Sequence, residues 1–78
     1  MERAYVLIET QLGKAKDVVE AIRLVAGVTS VDLVTGPYDV IAVVEAETLN
    51  EIGDLITAKV HPVGGISRTV TCLALESS

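Results

Sequence analysis

Two kinds of hydrophobic periodicity alternate along the chain. Ala4-Tyr5-Val6-Leu7-Ile8-Glu9 is a β-rich apolar run and reads as a buried strand. Leu12-Gly13-Lys14 interrupts it. From Lys14 to Ala26 the period becomes helical, with Val18, Ile22, Val25 and Ala26 on one face and Lys16, Glu20 and Arg23 on the other. Gly27 ends this helix at a C′-like position. Val28 to Thr35 returns to strand character and stops at Gly36-Pro37, and Val40 to Ala46 is a third strand. Thr48-Leu49-Asn50-Glu51 has the form of a capping box. Leu49, Ile52, Ile56 and Val60 then form an apolar stripe, with Leu55 beside it. His61-Pro62 and Gly64-Gly65 end that helix, because proline pushes the residue before it out of helical geometry. Ile66 to Leu75 is the last predicted strand.

The predicted order is βαββαβ, and its two halves repeat. Tyr5-Val6-Leu7-Ile8-Glu9 matches Ile41-Ala42-Val43-Val44-Glu45 at an offset of 36. Val25-Ala26-Gly27-Val28-Thr29-Ser30 matches Val63-Gly64-Gly65-Ile66-Ser67-Arg68 at an offset of 38. Two tandem βαβ-type units with right-handed crossovers predict an α+β, ferredoxin-like fold. Its four-stranded antiparallel sheet carries both helices on one face, with strands one and three central and strands two and four at the edges. The polar run Ser67-Arg68-Thr69-Val70-Thr71 suits an edge. Both parities of the two central strands are largely apolar, so the face without helices predicts a sheet-to-sheet dimer. The parity ending in Glu9 and Glu45 is the preferred partner face.

Size strengthens the case for association. A 78-residue chain is read as one domain spanning 1–78. A domain this small buries only about 60% of its unfolded surface. Cys72 is the only cysteine, so no disulfide can compensate, and no Cys/His cluster suggests a structural metal. Half of the residues are hydrophobic, more than one small core requires. A stable dimer interface would bury on the order of 1,600 Å2 in total. The formal net charge of −5, with six scattered Lys and Arg, argues against direct nucleic-acid binding. No run approaches the length of a membrane span, and the N-terminus lacks a signal-peptide pattern, so the expected compartment is the cytoplasm.

Candidate chemistry is sparse. His61 reads as a polar residue suited to a helix C-terminus. Cys72 reads as a small hydrophobe packed within a strand. No carboxylate pair, phosphate-cradling loop or activated nucleophile is evident, so neither an enzyme nor a cofactor is expected. Gly13 reads as a turn glycine that could also admit a ligand to the backbone. Gly36-Pro37-Tyr38-Asp39 is more informative. Glycine, proline and aspartate account for a turn, but a hairpin does not need a phenol at its mouth. Free turn amides, the Asp39 carboxylate and the Tyr38 ring together suit a small zwitterion: amides to its carboxylate, Asp39 to its ammonium, Tyr38 along its side chain.

Three stretches in order, "GVTSVDLVTG", "VTGPYDVIAVVEA" and "VGGISRTVTCLAL", resemble the effector-sensing (RAM) domain of the Lrp/AsnC family of amino-acid-responsive regulators. They are similar to the family's Gly-Val entry into strand two, its Gly-x-Tyr-Asp hairpin and its closing Gly-Val-x-x-Thr-x-Thr strand, with Ile66 replacing the valine. The resemblance implies sheet-to-sheet dimers assembled into a ring such as an octamer, with a free amino acid bound between dimers. On this chain it implies a site of Gly36, Tyr38, Asp39, Thr69 and Thr71, with Thr35 and Pro37 contributing backbone. Only three residues precede strand one, so the family's helix-turn-helix domain and its DNA binding are not carried over. The chain is similar to a stand-alone sensing domain, with full-length regulators as further partners. The alternatives are an ACT-like regulatory module using the Gly13 loop, a dimeric ferredoxin-like enzyme, and a purely structural oligomeriser.

Overall fold

In the computed structural model, which describes residues 1–76, the chain runs through β1 (Glu2–Thr10), α1 (Ala15–Arg23), β2 (Val28–Leu33), β3 (Val40–Ala46), α2 (Leu49–Leu55), a π-helical turn (Ile56–Val60) and β4 (Ile66–Leu73). The strands form one antiparallel sheet in the order β2-β3-β1-β4. This is the ferredoxin-like topology that the repeat predicts. The second strand of each half pairs with the first strand of the other half.

Strand alternation divides the sheet into two unlike faces. Ala4, Val6 and Ile8 of β1 and Val40, Ala42 and Val44 of β3 are fully buried. They pack with Val18, Val19 and Ile22 of α1, and with Ile52, Ile56 and Val60 beyond. The opposite parity, with Tyr5, Leu7, Ile41 and Val43, faces away from the helices, together with Val70 and Cys72 of β4. This is the Glu9/Glu45 parity. Ion pairs bracket its apolar centre: Arg3 Nη2 lies 2.8 Å from Glu45 Oε2, and Arg68 Nη2 lies 2.9 Å from Glu9 Oε2. The hydrogen bond to Glu45, and then one to Tyr5, raise the Arg3 pKa above its ordinary value. Cys72, expected to pack inside, is exposed on this face opposite Tyr5.

Several predicted boundaries move. Helix α1 ends at Arg23 rather than Ala26, leaving Val25 half-buried and Ala26 exposed. The chain must turn there so that Gly27 O can accept from Glu45 N–H at 2.9 Å. Strand β2 stops at Leu33, because Val34 N–H donates to Asp39 O at 2.9 Å and closes a wide loop. Strand β4 ends at Leu73 rather than Leu75, which is wholly in solvent.

The second helix changes gauge. Its stripe Ile52, Ile56, Val60 has four-residue steps, each over-rotating an α-helix by about 40°. A wider turn corrects the drift: His61 N–H donates to Ile56 O at 2.9 Å, an i→i+5 bond, and both Ile56 and Val60 stay buried. At the other end Thr48 Oγ1 accepts from Glu51 N–H at 3.1 Å, as the capping box predicts. The Glu51 carboxylate accepts from the Thr48 hydroxyl at 3.3 Å rather than from a backbone amide.

The halves lock together at their matching glycines. Gly27 and Gly65 both have φ +96°, and each lies under the helix of the opposite half. A Cβ on Gly27 would overlap Leu55 of α2, and one on Gly65 would come within 2.9 Å of Lys14 Cβ and 3.2 Å of Val18 Cγ2. Gly36, at φ +127°, has open space around it. Gly65→Ala is therefore expected to lose more stability than Gly36→Ala. The latter carries only backbone strain, about 1–2 kcal/mol, whereas the former adds a clash beside a helix backbone. Thermal melts of the two variants check this; an equal loss would refute the close-approach account.

Candidate ligand site

The loop between β2 and β3 is tied to β1 through Asp39. Its amide donates to Ile8 O at 2.9 Å, and its Oδ2 accepts from Thr10 N–H at 2.8 Å and from Thr10 Oγ1 at 3.3 Å. One carboxylate oxygen is thus structural, and Oδ1 is left for another partner. Thr35, Gly36 and Pro37 are exposed at the loop tip, and Tyr38 is half-buried beside them. Pro37 has no N–H, and that of Asp39 is engaged by Ile8. The loop therefore supplies fewer amide donors than a zwitterion receptor built on it alone would use.

Thr69 and Thr71 lie elsewhere. They pair with Ile8 and Val6, two of the fully buried residues of β1, and so sit on the helix-facing side of edge strand β4. Because β4 projects past the cover of α2, grooves open beside it. One, of about 250 Å3, is lined by His61, Ile66, Ser67, Arg68 and Thr69. The other, of about 380 Å3, has apolar walls of Leu49, Ile52, Ile56 and Leu73, with Gly53, Thr57, His61 and Thr71 completing it. His61 borders both. Its Nε2 lies 3.1 Å from Thr69 Oγ1.

Within one chain the expected site residues therefore form two separate groups. Ile8 pairs with Val40 on one side and with Thr69 on the other, which puts the hairpin and Thr69 about two strand spacings, or ~10 Å, apart. The fully buried Ile8 and Val40 fill the helix side between them. His61 was not expected at a site. Reading it as a terminal polar residue overlooked that the π-helical turn swings it over β4. Gly13, at φ +78°, lines neither groove. Among the described residues no group of three or more His, Cys, Asp and Glu is placed to hold a metal, and no helix is long and apolar enough to cross a membrane.

A family model described as the Lrp/AsnC ligand binding domain matches residues 3–78. The chain belongs to the Lrp/AsnC family. It is 35% identical to TTHA0845 from Thermus thermophilus, whose crystal structure superposes with a TM-score of 0.93 over 100% of this chain and 98% of that one. It is 32% identical over 59 residues to the uncharacterized HTH-type transcriptional regulator PF0250 of Pyrococcus furiosus. That match covers 76% of this chain and 39% of the regulator, so the chain spans about two-fifths of the length of this curated relative. The fold also matches the feast or famine regulatory protein (Rv3291c) from M. tuberculosis, solved complexed with L-methionine, at a TM-score of 0.80, with 20% identity, 99% of this chain and 52% of that one.

The Asp39 clamp gives a stability prediction independent of any ligand. Asp39→Ala removes the acceptor of a part-buried amide, which costs about 1–3 kcal/mol. Asp39→Asn keeps an acceptor and should recover much of the loss. Urea melts of wild type and the two variants report it; an Asp39→Ala midpoint equal to wild type would show that the Thr10 bonds contribute nothing.

Proposed function

We propose that the chain is an amino-acid-sensing regulatory module that binds a free amino acid between subunits. The site comprises Thr35, Gly36, Pro37, Tyr38 and Asp39 of one copy and Thr69 and Thr71 of another. The observation that carries this reading is the separation of these residues into two groups within a single chain of a family of ligand-binding domains. A second copy can join what the buried Ile8 and Val40 hold apart. Two proteins of the same fold, the feast or famine regulatory protein (Rv3291c) from M. tuberculosis and the transcriptional regulator NMB0573 from Neisseria meningitidis, were solved as complexes with L-methionine. The apolar groove beside Thr71 suits a side chain of that character.

In this reading the open sheet face forms a dimer, dimers assemble into a ring such as an octamer, and the ligand shifts that assembly because it touches two subunits. The role is regulatory rather than catalytic. It is exerted in the cytoplasm through association with full-length Lrp/AsnC regulators rather than by direct DNA contact. A lysine in the middle of the open face, Leu7→Lys, should lower the sedimenting mass and remove any dependence of the melting temperature on protein concentration. Unchanged mass would exclude that face as the interface.

Melting against the twenty common amino acids tests the ligand. A ligand at about 100 times its Kd adds roughly 2.7 kcal/mol, a rise on the order of 10 °C for a domain of this size. No shift with any amino acid would reject the sensing role. Mixing tests the shared site. Tyr38→Ala and Thr69→Val/Thr71→Val chains should each lose binding alone, and co-refolded at equal amounts they should regain about a quarter of the wild-type sites. No recovery would mean that both groups act within one chain.

A further inference from the structure

The polar ends of the two groups differ in chemistry. The hairpin offers a carboxylate oxygen, Asp39 Oδ1, beside Tyr38, and has two of its backbone donors spent or missing. The β4 side offers hydroxyls and an imidazole, and among the described residues no carboxylate lines either of its grooves. Arg68 lines one groove with His61, and its guanidinium is paired with Glu9 at 2.9 Å.

The hydrogen bond between His61 and Thr69 gives this contrast a direction. A threonine hydroxyl has one proton and can give it to only one acceptor. When the imidazole donates from Nε2 to Thr69 Oγ1, the hydroxyl proton is free to point into the groove toward an anion. When Nε2 accepts, that proton is consumed. An incoming carboxylate selects the first arrangement, because a hydrogen bond to an ionised acceptor is about twice as strong as a neutral one. From the geometry we infer that His61 is a positioning residue that aims the Thr69 hydroxyl at the ligand's carboxylate, so that a bound amino acid lies with its ammonium toward Asp39 of one copy and its carboxylate toward Thr69 of the other. The inference rests on the shared-site reading and moves the ligand's carboxylate from the turn amides, which would meet it in the hairpin alone, to Thr69 of a second copy, with the ammonium on Asp39 in both. It also assigns a role to the π-helical turn, which is what brings His61 over β4.

The test compares L-methionine with L-methioninamide, and L-leucine with L-leucinamide, by calorimetry on the full chain. The amide keeps the ammonium and removes the negative charge. Wild type should prefer the acid at least about tenfold. His61→Leu should reduce this preference to near unity, and His61→Gln, which keeps an N–H donor, should restore most of it. A structural role for His61 would lower melting temperature without changing the acid-to-amide ratio. Unligated melts of the variants, expected to match wild type because His61 is exposed, separate the two effects. Acid binding with the same ratio in His61→Leu would overturn the assignment and leave the amino-acid reading standing. If wild type binds neither these acids nor any other amino acid, both fall together.

Discussion

Everything in this fold depends on how the two halves exchange partners. Neither βαβ unit is a sheet by itself, since the second strand of each lies against the first strand of the other. The exchange requires a helix from each half to sit close over the strand entry of its counterpart, and the two glycines at φ +96° make room for that approach. Their carbonyls complete the same junctions, with Gly27 O accepting from Glu45 N–H and Gly65 O from Gln11 N–H. A side chain at either position would separate the halves where they join.

The exchange also sets where chemistry can occur. With β1 and β3 in the centre and the helices over them, the helix-facing side of the middle of the sheet is filled with aliphatic residues. Polar groups are left to the margins: the β2–β3 loop at one end and edge strand β4 along one side. The middle of the sheet leaves no space for a ligand, and the openings of a single copy are the grooves beside β4.

Much of this was legible locally. The bounds of β3, the cap at Thr48 and the strand order all follow from period and punctuation, because backbone geometry imposes the same two periodicities on any chain. What escaped were contacts between residues far apart in sequence. Nothing near Asp39 indicates that its carboxylate is held by Thr10, 29 residues away. Nothing near His61 signals a wide turn, which is visible only once Ile56 and Val60 are both required in the core. Helix α1 looked longer because Val25 and Ala26 continue its stripe, although the demand of Gly27 for a strand partner ends it. Cys72 looked interior because a strand pattern does not reveal that its face lacks helices.

The bonds around Asp39 have a consequence beyond stability. The loop carrying Tyr38 is fastened to the middle of the sheet by the Asp39 amide on one side and its carboxylate on the other, and is closed on itself by Val34. A loop so restrained has little conformational entropy left to lose, and a partner docking on it need not first gather it from many shapes. Recognition by such a surface is governed by fit rather than by adaptation. The same bonds tie the loop to β1, the strand that presents Tyr5 and Leu7 on the face without helices.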